Sequence, residues 1–221
     1  MEQSVDVVVI GMGVAGEAVA GELAQAGLEV IGIDSQLVGG ECPYWGCIPS
    51  KMMIRAAGVI AETRRVHGLA GTASVAPDWS LVAQRIRDEA TDDWNDQVAV
   101  DRFVGQGGQF VRGRAELVGP GRVRVADRTI TARLGVVLGT GTVASVPPVP
   151  GLADKPYWTN RGAVETTTLP ESLVVLGGGA IGLELAQVFA RFGVSVTIVE
   201  MADRILAAEE PEASAVVTDA L

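Results

Sequence analysis

Residues 5–34, "VDVVVIGMGVAGEAVAGELAQAGLEVIGID", change their pattern twice. Val5–Ile10 is a short apolar run rich in β-branched residues, the pattern of a buried parallel strand. Gly11, Gly13 and Gly16 then spell G-x-G-x-x-G. Between a strand and a helix, the first glycine makes the tight turn, the second lets backbone approach a pyrophosphate, and the third packs helix on strand. The helix start offers free N–H groups and a positive dipole end to phosphate. A second strand ends at Asp34, 23 residues after Gly11, a carboxylate suited to two ribose hydroxyls.

One such motif is weak, but the chain has two. "SLVVLGGGAIGLELAQVFARFGVSVTIVE", residues 172–200, repeats the pattern at an offset of 166 residues: Gly11 maps to Gly177, Gly13 to Gly179, Gly16 to Gly182, Gly27 to Gly193 and Asp34 to Glu200. The plain alternative is a pair of glycine-rich βα turns that bind nothing. Two matches at one internal spacing point instead to an α/β fold with two Rossmann-like dinucleotide-binding domains. Glu200 would repel a 2′-phosphate, which favours NAD(H) over NADP(H), although Arg204 lies close by in sequence.

Composition narrows the class. Hydrophobic residues make up 48% of 221 residues, enough for a sizeable core, and the 28 glycines fall inside apolar segments rather than in low-complexity runs. A net charge of −10 argues against nucleic acid or an anionic membrane as main partner. No apolar run approaches the roughly 20 residues of a spanning helix. The start carries Glu2 and Asp6 where a signal peptide would carry Lys or Arg, so a cytoplasmic protein is expected.

Both cysteines sit in one loop, "GGECPYWGCIPSK", residues 39–51. Four residues separate Cys42 from Cys47, with Pro43 and Gly46 among them, so the chain can turn enough to bring their Cα atoms within the roughly 7 Å a disulfide needs. Pro49 suits the first turn of a helix, which would put Cys47 at a helix N-terminus. A structural disulfide, half of a metal site and a pair of inert thiols are the alternatives. A cytosolic pair leans towards redox chemistry.

The loop resembles the redox-active signature of the class I FAD-dependent pyridine nucleotide–disulfide oxidoreductases, which include dihydrolipoamide dehydrogenase, glutathione reductase and mercuric reductase. "GTGTVASVPPVPG" at 139–151 resembles that family's loop beside FAD, and "GGGAIGLELA" its NAD(P)-binding turn. The resemblance spans essentially the whole chain. It implies a charge-transfer role for Cys47 against the flavin, an interchange role for Cys42 towards a small dithiol or disulfide substrate, and a Lys51–Glu184 pair beside the flavin. It also implies cofactor contacts at Gly40, Glu41, Ala115, Thr140 and Gly141. Residues 1–148 would form the FAD-binding domain and 149–221 a partial, truncated NAD(P)-binding domain. Dihydrolipoamide dehydrogenase-like activity leads; a mercuric reductase-like enzyme and a non-catalytic flavin-binding fragment are the rivals.

The sequence departs from the family at Glu41, Tyr44, Gly139 and Ala180, where threonine, asparagine, alanine and often an aromatic residue are common. The family's C-terminal histidine base has no match. His67 would lie about 24 Å along a continuous helix from Lys51. The chain is therefore expected to be the N-terminal part of a longer, homodimeric enzyme. Residues 78–103 read as one amphipathic helix. Residues 107–140 read as short antiparallel strands whose Arg112, Arg114, Arg122 and Arg124 form a solvated face.

Overall fold

The computed structural model describes residues 2–221. In chain order its elements are β1 (Glu2–Ile10), α1 (Val14–Gln25), β2 (Val30–Asp34), α2 (Glu41–Tyr44), α3 (Cys47–Arg65), α4 (Trp79–Arg85), α5 (Gln97–Gly105), β3 (Gln109–Arg112), β4 (Ala115–Gly119), β5 (Arg122–Val125), β6 (Arg128–Leu138), α6 (Asn160–Glu165), β7 (Ser172–Leu176), α7 (Ala180–Arg191), β8 (Ser195–Val199) and α8 (Pro211–Ala220). Two compact units result: Met1–Cys47 with Ala90–Pro147, and Ile48–Glu89 with Pro148–Leu221.

The first unit is built on a six-stranded sheet in the order β3-β2-β1-β6-β5-β4. Strands β3, β2, β1 and β6 pair in parallel, and β6, β5 and β4 follow one another as an antiparallel meander. The expectation of antiparallel strands across 107–140 therefore holds for β4, β5 and β6, but fails at β3, which pairs in parallel with β2; β6 also gains a parallel partner in β1. Alternating side chains reveal a strand but not its direction; direction is set by the distant partners that β3 and β6 find in β2 and β1. Val7 and Val9 pack beneath α1 and α5 with Met12, Ala20, Ala24, Val38 and Phe103. Val8 points the other way, to Ile31, Ile33, Val123 and Ile130.

The single helix expected over 78–103 is also interrupted. Helix α4 runs into a π-helical turn at Ile86–Ala90, and Asp92, Asp93 and Trp94 then adopt positive φ of 49°, 54° and 56° before α5 begins. Aspartate visits the left-handed region more readily than most residues, so "TDDWND" can break a helix without glycine or proline.

In the second unit β7 and β8 pair in parallel, and α7 buries Leu183, Ala186, Val188 and Phe189. Trp79 packs on Phe189 and Phe192 at ring separations of 5.5 and 5.1 Å, and its indole N–H donates to the Thr166 carbonyl at 2.9 Å. The fold repeats where the sequence does. Helices α1 and α7 both have 12 residues and start from extended glycines, Gly13 (φ −72°) and Gly179 (φ −78°). Gly11 and Gly177 have φ of 90° and 105°, and Gly27 and Gly193, just past the helices, 90° and 99°. The chain is an α/β protein with two Rossmann-like βαβ units.

The third glycine of each motif carries the tightest constraint. A Cβ on Gly182 would stand 2.7 Å from the Gly177 carbonyl oxygen, and one on Gly16 would fall on the carbonyl of Gly11. Gly16→Ala is expected to cost more than about 3 kcal/mol, since backbone must move. Gly27→Ala, with nothing within 4 Å of its Cβ but a positive φ, should cost about 1–2 kcal/mol. Urea unfolding of the two variants checks the ordering, and an equal loss would contradict it.

Candidate functional site

At the first turn three backbone segments meet with no side chain between them. Gly139 N–H donates to the Ile10 carbonyl at 2.7 Å, and a Cβ on Gly11 would lie 2.6 Å from the Gly139 carbonyl carbon. Gly39 N–H donates to the Met12 carbonyl at 2.7 Å, and a Cβ on Gly40 would lie 2.9 Å from the Gly13 Cα. Asp34 fastens the turn from below: its Oδ2 accepts from Met12 N–H and its Oδ1 from Gln36 N–H, both at 2.7 Å. Each carboxylate oxygen keeps a further lone pair for another donor.

The second turn repeats this at equivalent positions. Glu200 Oε2 accepts from Gly178 N–H at 2.6 Å and Oε1 from Ala202 N–H at 2.7 Å. Met12 and Gly178, like Gln36 and Ala202, are equivalent under the repeat, so both acids bind the same two backbone positions. The N–H of Ala202, then that of Gly178, holds the Glu200 carboxyl below the usual carboxylate range. Arg204 gives its guanidinium to the carbonyls of Leu206, Ala207 and Glu209 at 2.8, 3.0 and 2.6 Å.

The cysteines follow the first turn. Gly39 and Gly40 have φ of 105° and 67°, which lets the chain fold back before α2. Cys42 is half-buried in α2, Cys47 is exposed as the first residue of α3, and both are free thiols. A hydrogen bond with Cys47, then burial, pushes the Cys42 thiol above its ordinary pKa, so the two sulfur groups are neighbours. Pro49 is buried in the first turn of α3. Tyr44 is buried beside Trp45, and burial, then the charges of Asp96 and Glu17, raise its phenol pKa. A cleft of about 550 Å³ runs past Pro43 and Tyr44 between α1 and α5, lined also by Val14, Glu17, Val98 and Arg102.

In the second unit Lys51 Nζ lies 3.0 and 3.1 Å from the two carboxylate oxygens of Glu184. Ala115 is half-buried at the start of β4, Glu41 opens α2, and Thr140 and Gly141 are exposed in the loop after β6. His67 is exposed in a 3₁₀ turn. The sequence reading passed over two ion pairs at the first unit's site. Glu17 on α1 pairs with Arg102 on α5, and Asp96 pairs with Arg112 while accepting from Val38 N–H at 2.6 Å. Arg112, Arg122 and Arg124, expected on a solvated face, have acidic partners in Asp96, Glu2 and Glu116. The acid run at 92–96 was the available signal, but nothing local shows what it faces.

A family model described as pyridine nucleotide-disulphide oxidoreductase matches residues 5–221. The chain belongs to that family. Oxidoreductases of this family are FAD-dependent and linked to NAD(P)H. The chain is 37% identical over 216 residues to a dihydrolipoyl dehydrogenase of Halobacterium salinarum, covering 91% of this chain and 43% of the relative. It is 33% identical over 218 residues to a mercuric reductase of Bacillus cereus, covering 98% of this chain and 34% of that one. Among solved structures, the HOCl-induced flavoprotein disulfide reductase RclA from Escherichia coli superposes with a TM-score of 0.82 at 29% identity, over 97% of this chain and 46% of RclA. The chain thus spans less than half the length of these relatives. The bare backbone cradle of Gly11, Gly13, Gly40 and Gly139, with Asp34 beneath it, fits the pyrophosphate and ribose of FAD. Among the described residues no helix is long and apolar enough to cross a membrane.

The Lys51 and Glu184 side chains are 62% and 43% exposed, so their attraction is screened. A double-mutant cycle of Lys51→Ala and Glu184→Ala should give a coupling below about 1 kcal/mol in thermal unfolding. A much larger coupling would mean that the pair holds the fold rather than serving a site.

Proposed function

We propose that the chain carries the electron-transfer half of a FAD-dependent, NAD(H)-linked disulfide oxidoreductase resembling dihydrolipoamide dehydrogenase. The observation that carries this reading is the pair of adjoining free thiols, Cys42 and Cys47, directly after the first dinucleotide turn. Gly11, Gly13, Gly16, Asp34, Gly40, Glu41, Ala115, Thr140 and Gly141 are assigned to FAD. Gly177, Gly179, Gly182 and Glu200 are assigned to the nicotinamide coenzyme. Residues 1–148 and 149–221 are the corresponding domains. Bound FAD would supply the two-electron relay between nicotinamide and the cysteine pair.

The remaining chemistry belongs to the protein. A substrate thiolate attacks the Cys42 sulfur of the Cys42–Cys47 disulfide, and Cys47 leaves as thiolate. The second substrate thiol, on losing its proton, attacks the mixed disulfide and releases Cys42. The substrate thus becomes a disulfide, and the pair holds its two electrons. Cys47 is the more exposed thiol; a cofactor over it would leave Cys42 for substrate. Lys51, paired with Glu184, is assigned to tuning of the flavin. Homodimerisation and a cytoplasmic location complete the reading. Likeness to mercuric reductases supports a second one, with mercuric ion in place of the dithiol; NADH-dependent assays with lipoamide and with mercuric ion separate the two.

Thiol titration of the unfolded chain, oxidised and then after mild dithiol reduction, should differ by two, the number of cysteines. No difference would sink the redox reading. Glu200 supports NAD(H), and Arg204 is engaged by three carbonyls rather than open to a 2′-phosphate. Glu200→Ser should therefore narrow the NADH-to-NADPH affinity ratio by about tenfold, the loss of a repulsion of about 1.4 kcal/mol. Calorimetric titration with each coenzyme measures it, and an unchanged ratio means that discrimination lies elsewhere.

A further inference from the structure

Between Asp34 and α2 the chain crosses six residues, 35–40, without regular structure, and this linker delivers Cys42. Four of its N–H groups have identified acceptors. Gln36 donates to Asp34 at 2.7 Å, Gly39 to the Met12 carbonyl at 2.7 Å and Gly40 to the Leu37 carbonyl at 3.1 Å. The fourth, Val38, is fully buried among Met12, Ala99 and Phe103, and donates to the Asp96 carboxylate at 2.6 Å across 58 residues of sequence. A buried N–H stripped of its acceptor is costly, so this bond fixes the middle of the linker.

Asp96 is committed to that contact. It occupies the N-cap position of α5, where aspartate normally caps its own helix. Its side chain makes no capping bond; Gln97 N–H donates to Asn95 Oδ1 at 3.0 Å instead. The carboxylate is only 12% exposed and pairs with Arg112, whose guanidinium lies 4.7 Å over the Phe110 ring on β3. The linker is thus clamped from the glycine turn on one side and from a braced carboxylate on the other.

We propose that Asp96 is a positioning residue for the cysteine pair: with Arg112 it holds linker 35–40 against the first glycine turn and so fixes where Cys42 stands beside Cys47. This rests on the redox reading above. Without the clamp the thiols meet less often, and closure of the disulfide becomes less favourable at an unchanged sulfur chemistry.

The full chain tests it by equilibration with glutathione. Cys42 and Cys47 give up two electrons and two protons as their S–S bond forms, and one glutathione disulfide takes them up to become two thiols. The closure constant is read by thiol trapping for the parent, Asp96→Ala, Asp96→Asn and Arg112→Met, with far-UV circular dichroism and melting temperature alongside. Asp96→Ala and Arg112→Met are expected to lower the constant by about tenfold, the transmitted loss of one charge-assisted hydrogen bond. Asp96→Asn, which keeps an acceptor for Val38 N–H, should lower it less. Folded variants that keep the parental constant, however far their melting temperature falls, would overturn the proposal. If Asp96→Ala does not fold, Asp96→Asn and Arg112→Met decide by the same criterion. A parent without a reversible disulfide overturns the redox reading and this inference together; a normal parent with unmoved variants overturns this inference alone.

Discussion

The carbonyl of Gly11 occupies the space that any side chain on residue 16 would need, and the rest of the first unit is arranged around that approach. It brings the start of α1 onto the end of β1, so the helix N–H groups face the same point as the turn. With the helix so close, the turn has no side chain of its own to brace it. Asp34 does this from the next strand by accepting the Met12 N–H, and Glu200 does the same for Gly178 in the second copy. The carboxylates expected to serve a ribose therefore also build the turns that would hold the phosphates.

The turns, helices and acids of both repeats were legible because each is written locally: an apolar run, glycines at fixed spacing and a carboxylate 23 residues on. What escaped was non-local. Strands β3 and β6 show the same alternation whichever way their neighbours run. The left-handed turn at Asp92–Trp94 has no glycine to announce it. Asp96 and Arg112 stand 16 residues apart, and neither hints at Val38. The proximity of Lys51 to Glu184 came from likeness to a known family and not from spacing, since 133 residues of sequence lie between them.

The arginines show how an acidic chain spends its few cations. Arg133 bridges Asp6, at 2.9 Å, and Glu29, tying β1 to the loop before β2. Its guanidinium and the Glu29 N–H hold the Asp6 carboxyl below its ordinary pKa, the backbone bond contributing most. Exposed pairs of this kind add little stability. Their value is geometric: Arg102 joins α5 to α1, and Arg112 braces the carboxylate that reaches the linker.

Arg204 sets a limit on how this chain could take up a phosphorylated dinucleotide. Binding of a 2′-phosphate needs a cation near the end of β8, and Arg204 is the arginine nearest Glu200 in sequence. Yet three main-chain carbonyls of the following loop depend on it, and that loop in turn sends the Leu206 N–H back to the Gly178 carbonyl at 2.8 Å. Recruiting Arg204 would strand those carbonyls and loosen the turn that the new ligand requires. An evolutionary route to a 2′-phosphate site would have to place a fresh cation, for instance at the fully exposed Met201, before giving up Glu200.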